Sequence, residues 1–212
     1  MAKTFEQLKA ALGDWLGMNT TRLPDSVRGD MVNMALRALC RLYDLRLNEA
    51  SDTFATVASQ RGYALPATWS RPHTLWYVAP STGAIVTLGQ KSKEEFDLLY
   101  PDQAKTGDPG HYTIWGTEIQ LGRTPQSILT INRNYYALLE LADGSPQNEN
   151  AFTSGAWEVL LFKALADSAR YGIEDARVPV WQARARELED QLSIEHAHAR
   201  SSGRRVESRD LG

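Results

Sequence analysis

The sequence predicts an α+β fold. A four-helix core, with two helices from each end of the chain, carries an inserted antiparallel β-rich module and ends in a flexible C-terminal tail. Three observations predict it. Apolar residues recur at helical spacing near both ends of the 212 residues. The stretch between them alternates apolar and polar residues and is punctuated by Gly and Pro. The last residues lose all apolar period and gather arginines. The division is 1–50 for the N-terminal helices, 51–141 for the module, 142–199 for the C-terminal helices and 200–212 for the tail.

Thr4 opens the first helix. Thr4-x-x-Gln7 fits a capping box, in which each side chain satisfies the other residue's backbone N–H. Phe5, Leu8, Leu12, Trp15 and Leu16 follow at helical spacing, and Gly17 ends the run. Pro24 suits the first turn of a second helix, where its missing N–H has no partner to lose. Val27, Met31, Met34, Ala35, Ala38, Leu42 and Leu45 make one stripe on it. Leu36, Leu39, Tyr43 and Leu47 make a second, so this helix is apolar on two sides. Arg28, Arg37, Arg41 and Arg46 flank the stripes and read as a solvated or salt-bridged edge.

From Ser51 the texture changes. "TFATVASQRGYALP" reads as an exposed strand ending at proline. "LWYVAPSTGAIVTLG" reads as strand, turn, strand. "SKEEFDLLYP" is a short helix with a second capping box, Ser92-x-x-Glu95. "HYTIWG", "EIQLG" and "ILTINRNYYALL" are strands by alternation or β-branched content. "ADGSPQNENAFTSG" reads as a polar loop. A helix follows with Trp157, Leu160, Leu161, Ala164 and Leu165 on one face, and Val159, Phe162, Ala166 and Ala169 on another. The last helix starts near Asp175 and carries a narrow stripe of Val178, Trp181, Ala185, Leu188 and Leu192. Ser201-Ser202-Gly203 reads as a joint before Arg204, Arg205 and Arg209.

Bulk composition narrows the function. An apolar fraction of 42% supports a packed core, and a net charge of −3 lacks the basic surplus of a duplex binder. No run reaches the ~20 apolar residues of a membrane span. The N-terminus has no apolar signal core, and the single Cys40 excludes an internal disulfide. These features predict a soluble protein made in a reducing cytoplasm.

Chemistry is sparse. His196 and His198, two apart on a helix, point about 200° apart and cannot chelate one ion together. His73 and His111 sit in or beside strands. Cys40 lies among Leu36, Leu39 and Tyr43 and reads as a packed thiol. Carboxylates cluster at Glu94/Glu95, Glu174/Asp175 and Glu187/Glu189/Asp190, where helix-start charge explains them. There is no nucleophile elbow, Walker loop or dinucleotide fingerprint; "GDPG" at 107–110 is a turn. Tyr112, Trp115, Tyr135 and Tyr136 have few basic neighbours in sequence and read as packing groups. No catalytic residue, metal ligand or cofactor is predicted.

Several short motifs stand in a particular order. Leu65-Pro66-Ala67-Thr68-Trp69 follows a strand. Gly107-Asp108-Pro109-Gly110-His111-Tyr112 leads into a hairpin. A strand ends in Tyr135 and Tyr136, and the penultimate helix carries Leu160, Leu161, Ala164, Leu165 and Ala166. In this order and spacing, over about residues 4–195, the chain resembles the head-to-tail adaptor (connector) proteins of tailed bacteriophages. It departs from that pattern in the loop before the penultimate helix, which lacks an Asp-Leu-Tyr stretch; Trp157 takes the aromatic role.

The resemblance implies a structural protein of the virion neck, made in the host cytoplasm. It implies a ring of twelve copies below the portal, extending the DNA channel and offering the tail a docking platform. Portal binding would fall on the tail, at Arg204, Arg205, Val206, Arg209 and Leu211. The hairpin residues Tyr112, Trp115 and Glu118 would face tail tube, nozzle or fibre proteins. DNA would pass through the lumen without sequence-specific binding, and no membrane is involved. Helices apolar on two sides suit a closed ring, and a mildly acidic chain suits a channel through which phosphates slide. Two other readings stand beside it. One is a virion-associated cell-wall hydrolase using a carboxylate pair among Glu94, Glu118 and Glu158. The other is a nucleic-acid binder using the tail arginines.

Overall fold

A computed structural model describes residues 2–144 and 148–207, with residues 199–207 as helix backbone. In chain order the helices are α1 (Phe5–Leu16), α2 (Asp25–Leu42), α3 (Lys93–Leu99), α4 (Ala151–Gly155), α5 (Trp157–Ala166) and α6 (Val178–Glu207). The strands are β1 (Glu49–Ala55), β2 (Gly62–Ala64), β3 (Trp69–Val78), β4 (Ile85–Thr87), β5 (Gly89–Gln90), β6 (His111–Trp115), β7 (Glu118–Gly122) and β8 (Thr130–Ala137). The protein is therefore mixed α+β. It divides into a helical unit, Met1–Asn48 with Leu138–Gly212, and a β module, Glu49–Ala137.

In the helical unit, Thr4 caps α1 as its spacing predicts. Its hydroxyl accepts the Gln7 N–H while the Gln7 side chain accepts the Thr4 N–H. Gly17 closes α1 in the left-handed conformation at φ 65°, which a side chain would strain. Leu8, Leu12, Val32, Leu36, Leu39, Leu160, Leu165 and Trp181 join one core. Phe152 of α4 is fully buried in it, although the surrounding segment reads as polar loop. That helix forms because Asn150 accepts the N–H groups of Phe152 and Thr153, while the Thr153 hydroxyl accepts the Asn150 N–H.

Side-chain polar groups bind the two ends of the chain into this unit. Lys9 is buried and donates to Asp25 and to Asp143. Burial alone would lower its pKa, but the two carboxylates outweigh that and raise it. Glu189 on α6 is also buried; it accepts from Lys163 Nζ at 2.7 Å and from the Tyr43 hydroxyl at 2.9 Å. Burial first, then the bond to Glu189, pushes the Tyr43 hydroxyl up to about 12. Asn33 exchanges both amide groups with the backbone of Leu141, each at 2.8 Å. Arg28 is buried and does not lie on a solvated edge. Its guanidinium donates to the Met18 carbonyl and occupies space that a Cβ at Gly13 would need.

The β module is two four-stranded sheets, ordered β1-β8-β3-β4 and β2-β7-β6-β5. Leu75 and Tyr77 of β3 and Ile131 of β8 share a core with Tyr63, Tyr112, Ile119 and Leu121 of the second sheet. The sheets thus pack face to face. Segment 51–64 holds two strands, β1 and β2, with a turn between them. Among the named strands pairing is antiparallel except for β5, which runs parallel to β6 through Gly89↔His111 and Gln90↔Tyr112; an isolated parallel bridge also joins Thr106 and Thr124. The long connection through α3 makes that return possible, as a tight turn could not. Pro72 sits in β3 beside register shifts and opposite Tyr135; β4 pairs only with Trp76–Val78. Its missing N–H therefore breaks no ladder on that side.

Arg133 of β8 is buried and grips Asp52 of β1 with two bonds of 2.7 Å. Its third group donates to the Ala64 carbonyl at 3.1 Å, and the guanidinium lies 5.0 Å from the Phe54 ring centroid. Tyr100 lies against Gly122, where a Cβ would stand 2.4 Å from the ring, and its hydroxyl meets His111 Nδ1 at 2.6 Å.

Candidate interaction surface

The hairpin of β6 and β7 carries the surface residues that the sequence singled out. Its ladder runs from His111↔Gly122 to Trp115↔Glu118, leaving a two-residue loop, Gly116-Thr117. Gly116 has φ 60° and Thr117 does not share the positive φ, as in a II′ turn that continues strand twist. The loop is therefore short and set. Trp115 stands at its end, 59% exposed. Lys93 Nζ lies 5.6 Å from the Trp115 ring and is itself held by Asp97, four residues along α3. The indole is thus an exposed aromatic face braced from one side.

Glu118 is directly across the ladder from Trp115 and is exposed. Its carboxylate lies over Gly62, where a Cβ would be 2.7 Å from Oε2. Tyr112 is placed differently. It is 3% exposed in the module core, and burial pushes its hydroxyl up to about 12. Trp115 is three positions further along, an odd offset, so on a strand the two point to opposite faces. Tyr112 supports the hairpin from beneath, and Trp115 with Glu118 forms its outer end.

Of the tail residues, Arg204, Arg205 and Val206 fall within the backbone of α6, while Arg209 and Leu211 lie outside the described residues. The last buried side chain on α6 is Leu192 among the described residues, and Ile194 is already exposed.

The hydrolase reading draws on three carboxylates. Glu94 and Glu118 belong to the module, and Glu158 belongs to the helical unit. Glu94 and Glu158 each occupy the first turn of a helix, where the macrodipole favours a negative charge. His73 stacks edge-on to Tyr136 at 5.5 Å, and His196 Nδ1 accepts the Arg46 N–H at 3.3 Å. Cys40 is buried. Among the described residues, no three His, Cys, Asp or Glu side chains gather as metal ligands, and no helix is long and apolar enough to cross a membrane.

A second surface lies on the helices. The two-sided character of α2 survives folding. Met31, Val32, Ala35, Leu36 and Leu39 are buried, but Met34 is 47% and Leu42 62% exposed. On α1, Trp15 is 43% exposed and packs edge-on against Phe162 of α5, with ring centroids 5.3 Å apart. The apolar stripes hinted at this exposure. Nothing in the sequence pointed to Lys93 as the brace of Trp115.

No curated protein matches the chain significantly. The family model described as SU10 adaptor protein matches residues 3–209, taking in the helices and the β module alike. The order of motifs from Leu65 to Ala166 and the match over nearly the whole chain agree: this protein belongs to the SU10 adaptor protein family.

Proposed function

We propose that the chain is the structural head-to-tail adaptor of a tailed phage. It forms a ring of twelve copies beneath the portal, continues the DNA channel, and presents a platform to the tail. The observation that carries this reading is the family match running through both units at once, from residue 3 to residue 209. Two features support it. The hairpin ends in a braced aromatic and a carboxylate on a set turn, the kind of rigid anchor on which protein contacts concentrate. The helical unit leaves apolar side chains on faces that its own core does not cover.

In this reading Trp115 and Glu118 meet the tail components, with Tyr112 holding the hairpin in shape. Arg204, Arg205, Val206, Arg209 and Leu211 engage the portal. The role asks for geometry and needs no reactive group. The protein then resides in the virion neck.

Imaging of purified particles at side-chain resolution tests the assignment. A ring of this chain between portal and tail is the expected result; its absence from the neck overturns the reading. The platform role is tested by Trp115→Ala with Glu118→Ala. Particles should keep the ring and lose the tail, and tails retained in full would remove the hairpin from that role.

A further inference from the structure

Both edges of the first sheet of the module are open. The Thr56 N–H donates to the Leu129 carbonyl at 2.8 Å, one step past the end of the β1/β8 ladder. Bonded pairs alternate along an antiparallel ladder, so Phe54, Asp52 and Ala50 bond to β8. Ser51, Thr53 and Ala55 turn their N–H and C=O groups the other way. All three are exposed, and among the described residues nothing bonds these groups. At the far edge the Leu88 N–H donates to the Leu75 carbonyl and the Ala79 N–H to the Ala84 carbonyl, each at 2.8 Å. By the same alternation Ile85 and Thr87 of β4 turn outward, and Ile85 is 69% exposed. Edges that must stay single are commonly guarded by charge, proline or a bulge. Here the β1/β8 register is unbroken, and neither 53–60 nor 81–90 contains a charged residue or a proline. The charge of Asp52 points to the core side and is taken up by Arg133.

We infer that these edges are the two halves of one main-chain joint, in which β4 of one copy pairs with β1 of the next. This rests on the ring assembly proposed above and names its joint. The order β1-β8-β3-β4 is antiparallel at every step, so β4 runs opposite to β1. A next copy in the same orientation therefore meets it antiparallel. Both edges turn outward the groups of residues whose side chains lie on the exposed face, so the joint continues exposed face with exposed face and core face with core face. With Thr87 opposite Thr53 and Ile85 opposite Ala55, every outward group of β4 finds a partner. Ile85 then lies diagonal to Val57, itself 54% exposed. The two edges are on opposite sides of the sheet, so one partner copy does not serve both. A two-fold pair, β1 on β1 or β4 on β4, leaves the other edge of each copy open; head-to-tail pairing around a ring leaves none. Twelve such sheets at ~4.8 Å per strand make a circle of about 230 Å, roughly 70 Å across, with room inside for a DNA duplex.

The test uses full-length protein in assembled particles. Thr53→Pro removes an outward N–H and breaks no bond to β8, so it should abolish incorporation of the ring. Thr53→Val keeps that N–H and should incorporate as the wild type does. In parallel, Thr53→Cys with Thr87→Cys in one chain should yield a ladder of multimers when treated with a short bismaleimide, with neither single variant linking. Within one chain the two positions are three strand spacings apart, about 14 Å, too far for that linker. Cys40 is buried and stays out of the reaction. Normal incorporation of Thr53→Pro, loss with Thr53→Val, or linking by a single variant overturns the inference. If Thr53→Pro loses its folded circular dichroism spectrum, the linking result decides. A ring whose cysteine pair stays unlinked defeats the joint and leaves the ring standing. Wild-type particles with no ring defeat the underlying reading.

Discussion

In the helical unit, buried polar groups join residues that start far apart: Lys9 meets Asp143, 134 positions on, and Tyr43 meets Glu189, 146 positions on. In the β module, the buried Arg133 binds Asp52, which already faces it across the β1/β8 ladder. The difference follows from where backbone hydrogen bonds go. A helix satisfies its own, so nothing in the main chain specifies how α2 meets α5 or α6. Side chains must do so. A strand satisfies its backbone on its neighbour, so the ladder sets the pairing and the side-chain bridge only locks it. Both units also expose apolar groups: Trp15, Met34 and Leu42 in the helical unit, and Ile85, Leu98, Trp115 and Ile128 in the module.

This contrast can be broken or sharpened by substitution. The largest effect should come from Phe152→Ala, which leaves a cavity where α4 enters the helical core and should cost about 3–5 kcal/mol in urea unfolding. An unchanged midpoint would mean that the α4 contact is dispensable. Asp52→Ala leaves the buried Arg133 without its counter-charge and should cost about 3 kcal/mol by the same measurement. If the loss is much smaller, the ladder alone fixes β1 on β8. Gly122→Ala drives a methyl into the Tyr100 ring and should cost about 1–2 kcal/mol; pairing it with Tyr100→Ala should recover part of that. Thr4→Ala removes one half of the α1 capping box, for about 1 kcal/mol.

The smallest effect at neutral pH lies with two strongly perturbed tyrosines, one in each unit. Tyr43 and Tyr112 titrate at about 12 in the folded chain against an ordinary 10. The folded state holds their protons longer than the unfolded state does. The stability they contribute is complete below pH 10 and falls as pH climbs from 10 to 12. Tyr43→Phe and Tyr112→Phe should each flatten that decline in unfolding followed against pH. A slope unchanged by either would show that the hydroxyl ionises freely.

What was legible in the sequence was local. Thr4 and Gln7 are one turn apart, so their capping box needs nothing distant. Alternation in "HYTIW" reads as β6, and the same period sets Tyr112 and Trp115 on opposite faces; that Tyr112 is the buried one follows only from the core it shares with Leu75, Tyr77 and Ile131. The helix α4 escaped because its signal, Asn150-x-x-Thr153, is an uncommon form of the capping box lying in a polar stretch. The burial of Lys9 and Arg28 was invisible for another reason. Their partners, Asp143 and the Met18 carbonyl, are brought to them only by packing, and a charged residue in a helix reads as surface until the fold supplies its counterpart. The brace of Lys93 on Trp115 likewise depends on how α3 lies against β6.

The first and last strands of the module are neighbours: Glu49 faces Tyr136, and Ala55 faces Thr130. Residues opposed in such a ladder lie about 5 Å apart. The polypeptide therefore leaves the helices after Asn48 and comes back at Leu138 through what is nearly a single doorway. A segment whose two ends stand side by side can be exchanged for another that begins and finishes likewise, with the helical unit left as it is.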